Sequence, residues 1–564
     1  MRKTITLSLA IFLLTCCFTW QPVNACTNFI ITKGASKDGS VMITYSADSH
    51  VLYGELYYWS ARNWARGSML DVYEWDSGKF LGRIPQVSHT YSVIGNMNEH
   101  QLAIGETTFG GREELYDSTG IIDYGSLIYI TLQRARTARE AIVTFSQLLS
   151  EFGYASSGES FSIADANEAW ILELIGKGAG DKGAVWVARR IPEGFISGHA
   201  NHPRITTFPL ADGRKSITSK QLDRINNPEV ETVYAYDVID VARKYGWFNG
   251  QDAEFSFSDT YAPIDFSAAR FCEARVWAGF NAVNSQMGEF LDYAMGKNLK
   301  ARMPLWIKPD NQLDLKDVMG MMRNYYQDTP MDMTKDVGAG PYGSTVRWRP
   351  MEWEVDGVTY LHERAISTQQ TGFSFVAQSR SWLPNPVGGI LWFGVDDTYY
   401  TVYSPMYCGI TEVPETFAVG NGDMMTFSDN AAFWVFNQVT NFAYTRTSLL
   451  IDDLQKKQSE LEDGYVLEVK NIDQKAAELY KNNPAEAIKF LTNYSVEAGN
   501  KTVAEWKEFY KFLFVKYLDG NIKEKVTVPS GYKYYNPKIS QPGYPDEWNR
   551  VIINSTGDKL RVIE

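Results

Sequence analysis

The residue with the richest latent chemistry is Cys26, which follows Val23-Asn24-Ala25 and opens a run of strand-forming residues. A cut after Ala25 would leave Cys26 with both a thiol and a free α-amine. An isolated α-amine has a pKa of roughly 7.7–8.0, so part of it is neutral at physiological pH and able to take the thiol proton. Nucleophile and base then come from one residue, and an amide is split in two easier steps through a thioester. Such a site also needs donors for the developing oxyanion, and asparagine amides suit that task. A rival reading is that Val23-Asn24-Ala25-Cys26 is a lipobox, whose cysteine is lipidated on sulfur and acylated on its amine. Asn24 is unusual two positions before such a cysteine, and a strand begins at once where a lipoprotein has a flexible Ser/Gly/Asp-rich tether.

The other chemistry-bearing residues point less sharply. Cys16 and Cys17 lie in the apolar leader, leaving Cys272 and Cys408 either to pair in an oxidising compartment or to stay as buried thiols. His199 and His202 lack a nearby third ligand and read as structural histidines, so no metal is assigned. The glycine-rich 176–183 segment (GKGAGDKG) lacks the GxxxxGK[ST] pattern and joins two strands, which makes it a hairpin loop rather than a phosphate cradle. Tryptophans and tyrosines at 347–407 fall at strand spacing and read mostly as core.

The elements that must position Cys26 begin immediately after it. Thr27–Lys33 and Ser40–Ser46 are β-branched and aromatic, with Lys37-Asp38-Gly39 as the turn between them. Further strands are expected at Tyr53–Trp59, Tyr91–Ile94, Gln101–Gly105, Ser160–Ala164, Ala169–Ile175, Ala184–Arg189 and Phe195–Ala200. Thr137 with Glu140 forms a capping box ahead of apolar residues at helical spacing, and Gly153 can stop that helix. Helices are expected at Val233–Tyr245 and Leu313–Tyr326, aromatic strands return around 345–405, and the chain is helical again from Asn430. There Asn483-Pro484 reads as an N-cap with proline at N1, and Thr502 with Glu505 as another capping box. Strands, then helices, then strands is not βαβ alternation; it predicts an α+β body of antiparallel sheets with helices outside.

Upstream, Arg2 and Lys3 precede the largely apolar Ile5–Trp20, and small or modest residues precede Cys26, as in a signal peptide. The expected organisation is a signal peptide at 1–25, a catalytic body at 26–450, and a helical C-terminal section and tail at 451–564. The protein is expected to be exported, periplasmic or extracellular, with lipid anchoring at Cys26 as the alternative. The apolar run at Ile5–Trp20 is too short and too early for a membrane span, and nothing downstream approaches ~20 consecutive apolar residues. The net charge is −13, and −15 without residues 1–25, with no long basic blocks, which argues against nucleic acid as a partner.

The stretch CTNFIITKGASKDGSVMITYSADSH (26–50) resembles the start of the dipeptidase branch of the N-terminal-nucleophile cysteine hydrolases, cousins of penicillin V acylase and choloylglycine hydrolase. The likeness continues in order through GNMNEHQLAIGETT (95–108), FGYASSGESFSIADANEAWILEL (152–174), VWVARRIPEGFISGHANHPRI (185–205), DVGAGPYGSTVRW (336–348), FVAQSRSWLPNPVGGILWFGVDD (375–397) and SDNAAFWVFNQV (428–439). The resemblance implies an αββα sandwich, amide hydrolysis without a cofactor, and Cys26 as nucleophile. Position by position it implies Asp48 as the acid orienting the amine, with Asn98 and Asn201 as oxyanion donors. Asn98 has a second reading as the left-handed residue of a hairpin turn. One position departs from the pattern: the family commonly has arginine three residues before the aspartate, where this chain has Tyr45. Arg270 or Arg275 is a candidate replacement cation.

The expected activity is hydrolysis of short peptides. A dipeptidase must hold a free ammonium and a free carboxylate; Glu99, Glu106 or Glu173 is a candidate for the first and an arginine for the second, with Tyr45 beside them. An amidase acting on N-acyl compounds and a non-catalytic, lipidated glycan-binding protein remain alternatives, and the sequence leaves room for a homo-oligomer.

Overall fold

The computed structural model describes residues 25–563; the leader reading, apart from Ala25, lies outside the described residues. Two large sheets form the body. Its principal strands are β1 (Asn28–Ile31), β2 (Val41–Asp48), β3 (Ala103–Phe109), β4 (Gly158–Ala164), β5 (Ala169–Gly176), β6 (Ala184–Arg190), β7 (Ile196–His199), β8 (Thr371–Ser379), β9 (Gly389–Val395) and β10 (Ser404–Tyr407). Among the described residues, one sheet has seven strands, in the order 306–307, β7, β1, β2, β8, β9, β10. The other has nine, with β6, β5, β4 and β3 at its centre. All pairings in these two sheets are antiparallel except that of 216–218 with 232–234.

Burial explains the composition of these strands. Every residue of β1, β2, β4, β5, β8 and β9 is buried, so they are rich in β-branched and aromatic residues and lack a solvent-facing polar alternation. Strands β1 and β2 face β3 and β4 across the sandwich. The approach there is close: Asn28 Nδ2 donates to Glu106 O at 2.7 Å, and a Cβ on Gly105 would lie 2.3 Å from Asn28 Oδ1. His199 is buried in the same layer between two hydroxyls, Thr107 Oγ1 and Ser162 Oγ, each at 2.8 Å. Burial holds its pKa down to about 3, so it is a neutral structural bridge.

Helices α1 (Tyr124–Leu132) and α2 (Ala138–Phe152) pack on the nine-stranded sheet. Helix α2 starts where the sequence predicts, with Thr137 Oγ1 accepting from Glu140 N at 3.2 Å, and Gly153 ends it at φ +78°. Helix α3 (Ala274–Asn281) lies near the start of β1, and α4 (Ala432–Tyr444), α5 (Thr447–Asn482) and α6 (Pro484–Tyr517) cover the seven-stranded sheet. The result is an α+β sandwich of two antiparallel sheets with outer helices and a helical C-terminal section.

Several local expectations change. Thr502 does not cap a helix: it sits inside α6, and its hydroxyl donates back to Ala498 O at 2.9 Å. Asn483 does cap α6, with Pro484 at N1. The expected helices shrink to Val238–Lys244 and Leu315–Met322, and Thr232–Tyr234 is a strand. Of Tyr53–Trp59 only Tyr58–Trp59 pairs as a strand. Helix α5 runs through position 450, so the chain enters its C-terminal section without a linker. Cys272 and Cys408 are both free. No helix among the described residues is long and apolar enough to cross a membrane.

Candidate active site

Cys26 lies two residues before the start of β1, and Thr27 bridges to Ser46 of β2, so the sheet fixes where the thiol sits. It is 5% exposed. Its Sγ lies 3.7 Å from Tyr45 Oη and 3.9 Å from Glu106 Oε1, and Tyr45 Oη donates to that same carboxylate oxygen. Alternation along β2 separates Tyr45 from Asp48, three residues on, onto opposite faces. Tyr45 therefore points at the sulfur, whereas Asp48 joins Ser46 on the other side, with Ser46 Oγ donating to Asp48 Oδ2 at 3.2 Å.

Asp48 is fully buried and saturated. Arg364 Nη2 donates to Oδ2 at 2.7 Å and Thr371 Oγ1 to Oδ1 at 2.6 Å. It touches the chain just before the cysteine: Ala25 N donates to Asp48 O at 2.9 Å, and Arg364 also donates to Ala25 O at 2.9 Å.

Cys26 N donates to Asn201 Oδ1 at 2.7 Å. This nitrogen is the peptide nitrogen of the Ala25–Cys26 bond; it occupies the place the α-amine would take in a chain beginning at Cys26. Asn201 follows β7 at φ +58°, a left-handed backbone uncommon for a residue other than glycine. Its Nδ2 donates to Thr108 O at 2.6 Å. Arg275, at the start of α3, ties these parts together, donating to Cys26 O at 2.6 Å, Thr27 Oγ1 at 2.9 Å and Asn201 Oδ1 at 2.9 Å. Of the two candidate cations, then, Arg275 reaches the cysteine, while Arg270 pairs with Glu363.

Next to Sγ opens a cavity of about 460 Å³. Its walls include Tyr45, Asp76, Glu106, Tyr124, Tyr129 and Phe373, and among the described residues no Lys, Arg or His lines it. Glu106 on β3 and Glu159 on β4 are diagonal neighbours on one face of the sheet, because Glu106 pairs with Phe161 and Thr108 with Glu159. Burial pushes the Glu106 carboxyl up to about 7, and burial together with the charge of Glu106 pushes Glu159 well above the usual carboxylate range. Burial, then the charges of Glu106 and Asp48, likewise hold the Cys26 thiol well above its ordinary value. In the described chain the sulfur is thus a protonated thiol that needs a base.

Three expected site residues lie elsewhere. Both amide hydrogens of Asn98 go to carbonyls, of Leu132 and Ala135, each at 2.8 Å, and its Oδ1 accepts from His100 N and Leu102 N. It braces a hairpin in extended backbone; the left-handed residue there is Gln101, at φ +67°. The asparagine that lines the cavity is Asn96, two residues earlier, whose buried Oδ1 has no hydrogen-bond partner. Glu99 accepts from Ser92 N at 2.8 Å in the same hairpin. Glu173 accepts from the backbone of Arg204 and Ile205 at 2.5 and 2.9 Å. Arg364, Glu159 and Asp76 are the residues the sequence reading missed; nothing local to any of them signals a role.

Residues 60–460 match the family model described as peptidase family C69, a match that begins after Cys26 and Asp48. Curated relatives agree along most of the chain. A protein from Lactobacillus helveticus named dipeptidase A is 22% identical over 78% of this chain and 84% of its own length. A probable dipeptidase B from Streptococcus pyogenes serotype M1 is 21% identical over 89% of this chain and 95% of its own. A probable dipeptidase from Latilactobacillus sakei is 21% identical over 70% and 76% respectively.

Proposed function

The chain belongs to peptidase family C69, within the N-terminal-nucleophile hydrolase group, and from that premise we propose that it is an exported cysteine dipeptidase acting through Cys26. The observation that carries this reading is the pairing of the Cys26 sulfur with a cavity of acids and aromatic rings that no basic residue lines among the described residues. Such a cavity suits the free ammonium and side chain of a peptide's first residue: Glu106, Asp76 and Asn96 Oδ1 supply acceptors and Tyr45, Tyr124 and Tyr129 supply ring faces.

On this reading, removal of the residues before Cys26 turns its nitrogen into an amine held by Asn201 Oδ1. The amine takes the thiol proton, and sulfur bonds to the scissile carbonyl carbon as the carbonyl oxygen becomes an oxyanion. Asn201, whose Nδ2 gives one hydrogen to Thr108 O, is assigned to that oxyanion through the same amide group; Asn98, both of whose amide hydrogens go to Leu132 and Ala135, is not. The C–N bond then breaks, the leaving amino group takes the proton from the Cys26 amine, and a thioester remains. Water attacks it, the amine accepting the water's proton, and the thiol is regenerated. Arg275 holds the Cys26 carbonyl, so Tyr45 need not be a cation; it orients Glu106 instead.

The test is a panel of free dipeptides against their N-acetylated counterparts and N-acyl amino acids, using protein expressed from the full chain and recovered after processing. Free dipeptides are the expected substrates. Cleavage of the N-acyl compounds alone would make the protein an amidase, and a diacylglyceryl mass on Cys26 would sink the enzyme reading.

A further inference from the structure

On the Ala25 side of the Ala25–Cys26 bond lies a second cavity, of about 630 Å³, and its charge is opposite to that of the first. Arg275, Arg349, Arg364 and His50 line it, with Phe271 and Cys272 on its apolar wall. Three guanidinium groups converge here with little to balance them. Arg364 has Asp48. Arg275 donates to neutral oxygens, those of Cys26, Thr27, Ala200, Asn201 and Phe271, and forms no ion pair among the described residues. Among the described residues Arg349 donates to Thr368 Oγ1 and Gln370 Oε1, has no carboxylate within ion-pair distance, and keeps a buried Nε without a partner. Among the described residues the one acid on the wall, Glu352, is exposed on a hairpin. Burial and the neighbouring Arg364 hold Arg349 down at about 9, the direction expected of a cation placed where an anion belongs.

We propose that Arg349, backed by Arg364, is the receptor for the α-carboxylate of the leaving residue, and so makes a free C-terminus a requirement of the substrate. The inference rests on the dipeptidase reading and gives it a geometry. The acyl half of a dipeptide puts its ammonium in the acidic cavity beside Sγ. The leaving half passes the Cys26 nitrogen, which must protonate it, and puts its carboxylate on the far side. Guanidinium is the group for this task, since its planar fork matches a carboxylate and stays charged. The distance between two opposite charges, one on each side of Cys26, then sets substrate length.

The experiment compares a dipeptide with its C-terminal amide, on wild-type protein and on Arg349→Gln and Arg349→Lys, each expressed from the full chain and recovered after processing. The wild type is expected to prefer the free acid, and Arg349→Gln to reduce that preference by about 10-fold or more, as loss of a hydrogen bond to a charged group implies. Arg349→Lys keeps the charge without the fork and should retain an intermediate preference. In parallel, Cys26→Ala and Cys26→Ala/Arg349→Gln are titrated with both compounds, so that binding is read without turnover. If the wild type hydrolyses no dipeptide, the dipeptidase reading falls, and the titration alone decides the role of Arg349. If Arg349→Gln weakens acid and amide equally, or leaves their ratio unchanged, Arg349 does not read the carboxylate and this inference is wrong.

Discussion

Arg364 donates to Asp48 across 2.7 Å with 4% and 0% of their side chains exposed, joining residues 316 positions apart at the end of β2. Removing one partner of such a pair strands a buried charge, at a cost of about 3–5 kcal/mol. Asp48→Ala and Arg364→Ala should each lower the unfolding midpoint markedly in denaturant titration. Asp48→Ala/Arg364→Met should cost less than the two single changes added together, because it leaves neither charge unpaired. Strict additivity would mean that the pair is not coupled as its geometry implies.

Cys26→Ala should abolish dipeptide hydrolysis and Cys26→Ser should reduce it by about 1,000-fold or more, since the hydroxyl is a far weaker nucleophile at neutral pH. Steady-state rates on a dipeptide panel check this. Hydrolysis unchanged in both variants would refute the proposed chemistry.

Glu106 gives the protein a pH dependence of definite sign. Its carboxyl titrates at about 7 in the fold against 4.5 when exposed, so between those values the folded chain holds a proton that the unfolded chain has lost. Stability contributed by Glu106 is therefore present below pH 4.5 and lost as pH rises through 7. Glu106→Gln should flatten this part of the stability curve, measured as unfolding midpoint against pH. If the ionised carboxylate also holds the substrate ammonium, KM for free dipeptides should rise as pH falls below 7, and the variant should lose that response.

Gly105→Ala tests the closeness of the two sheets. The new Cβ would sit 2.3 Å from Asn28 Oδ1, against a side chain bound to Glu106 O, so β1 and β3 must part. Overpacking of this kind costs about 1–3 kcal/mol. Activity should fall along with stability, because Cys26 rides two residues before Asn28.

Much of the sandwich was legible because its strands are buried on both faces and are therefore rich in β-branched and aromatic residues, as Asn28–Ile31 and Val41–Asp48 are. The cap at Thr137 was legible for a local reason, its hydroxyl meeting an amide three residues away. The same local pattern misled at Thr502, where the helix had begun eighteen residues earlier at Pro484 and the hydroxyl returns to Ala498. At the site, Tyr45, Glu106 and Asn201 are drawn to Cys26 itself and Asp48 to Ala25 beside it, whereas Asn98 and Glu99, beside Glu106 in sequence, are spent on their own hairpin. The arginines were illegible as partners. Arg275 lies 249 residues from Cys26 in sequence, and only the closed sandwich brings them together.

The spacing of Tyr45 and Asp48 on β2 has a bearing on which changes this region can absorb. An odd separation along a strand works like parity: substitutions preserve it, and a single inserted or deleted residue reverses it. A one-residue insertion or deletion between them would put the phenol and the carboxylate on one face, so that one of the two loses its partner while the sheet could still form. The four residues from Tyr45 to Asp48 should therefore tolerate exchange of side chains far better than any change in their number.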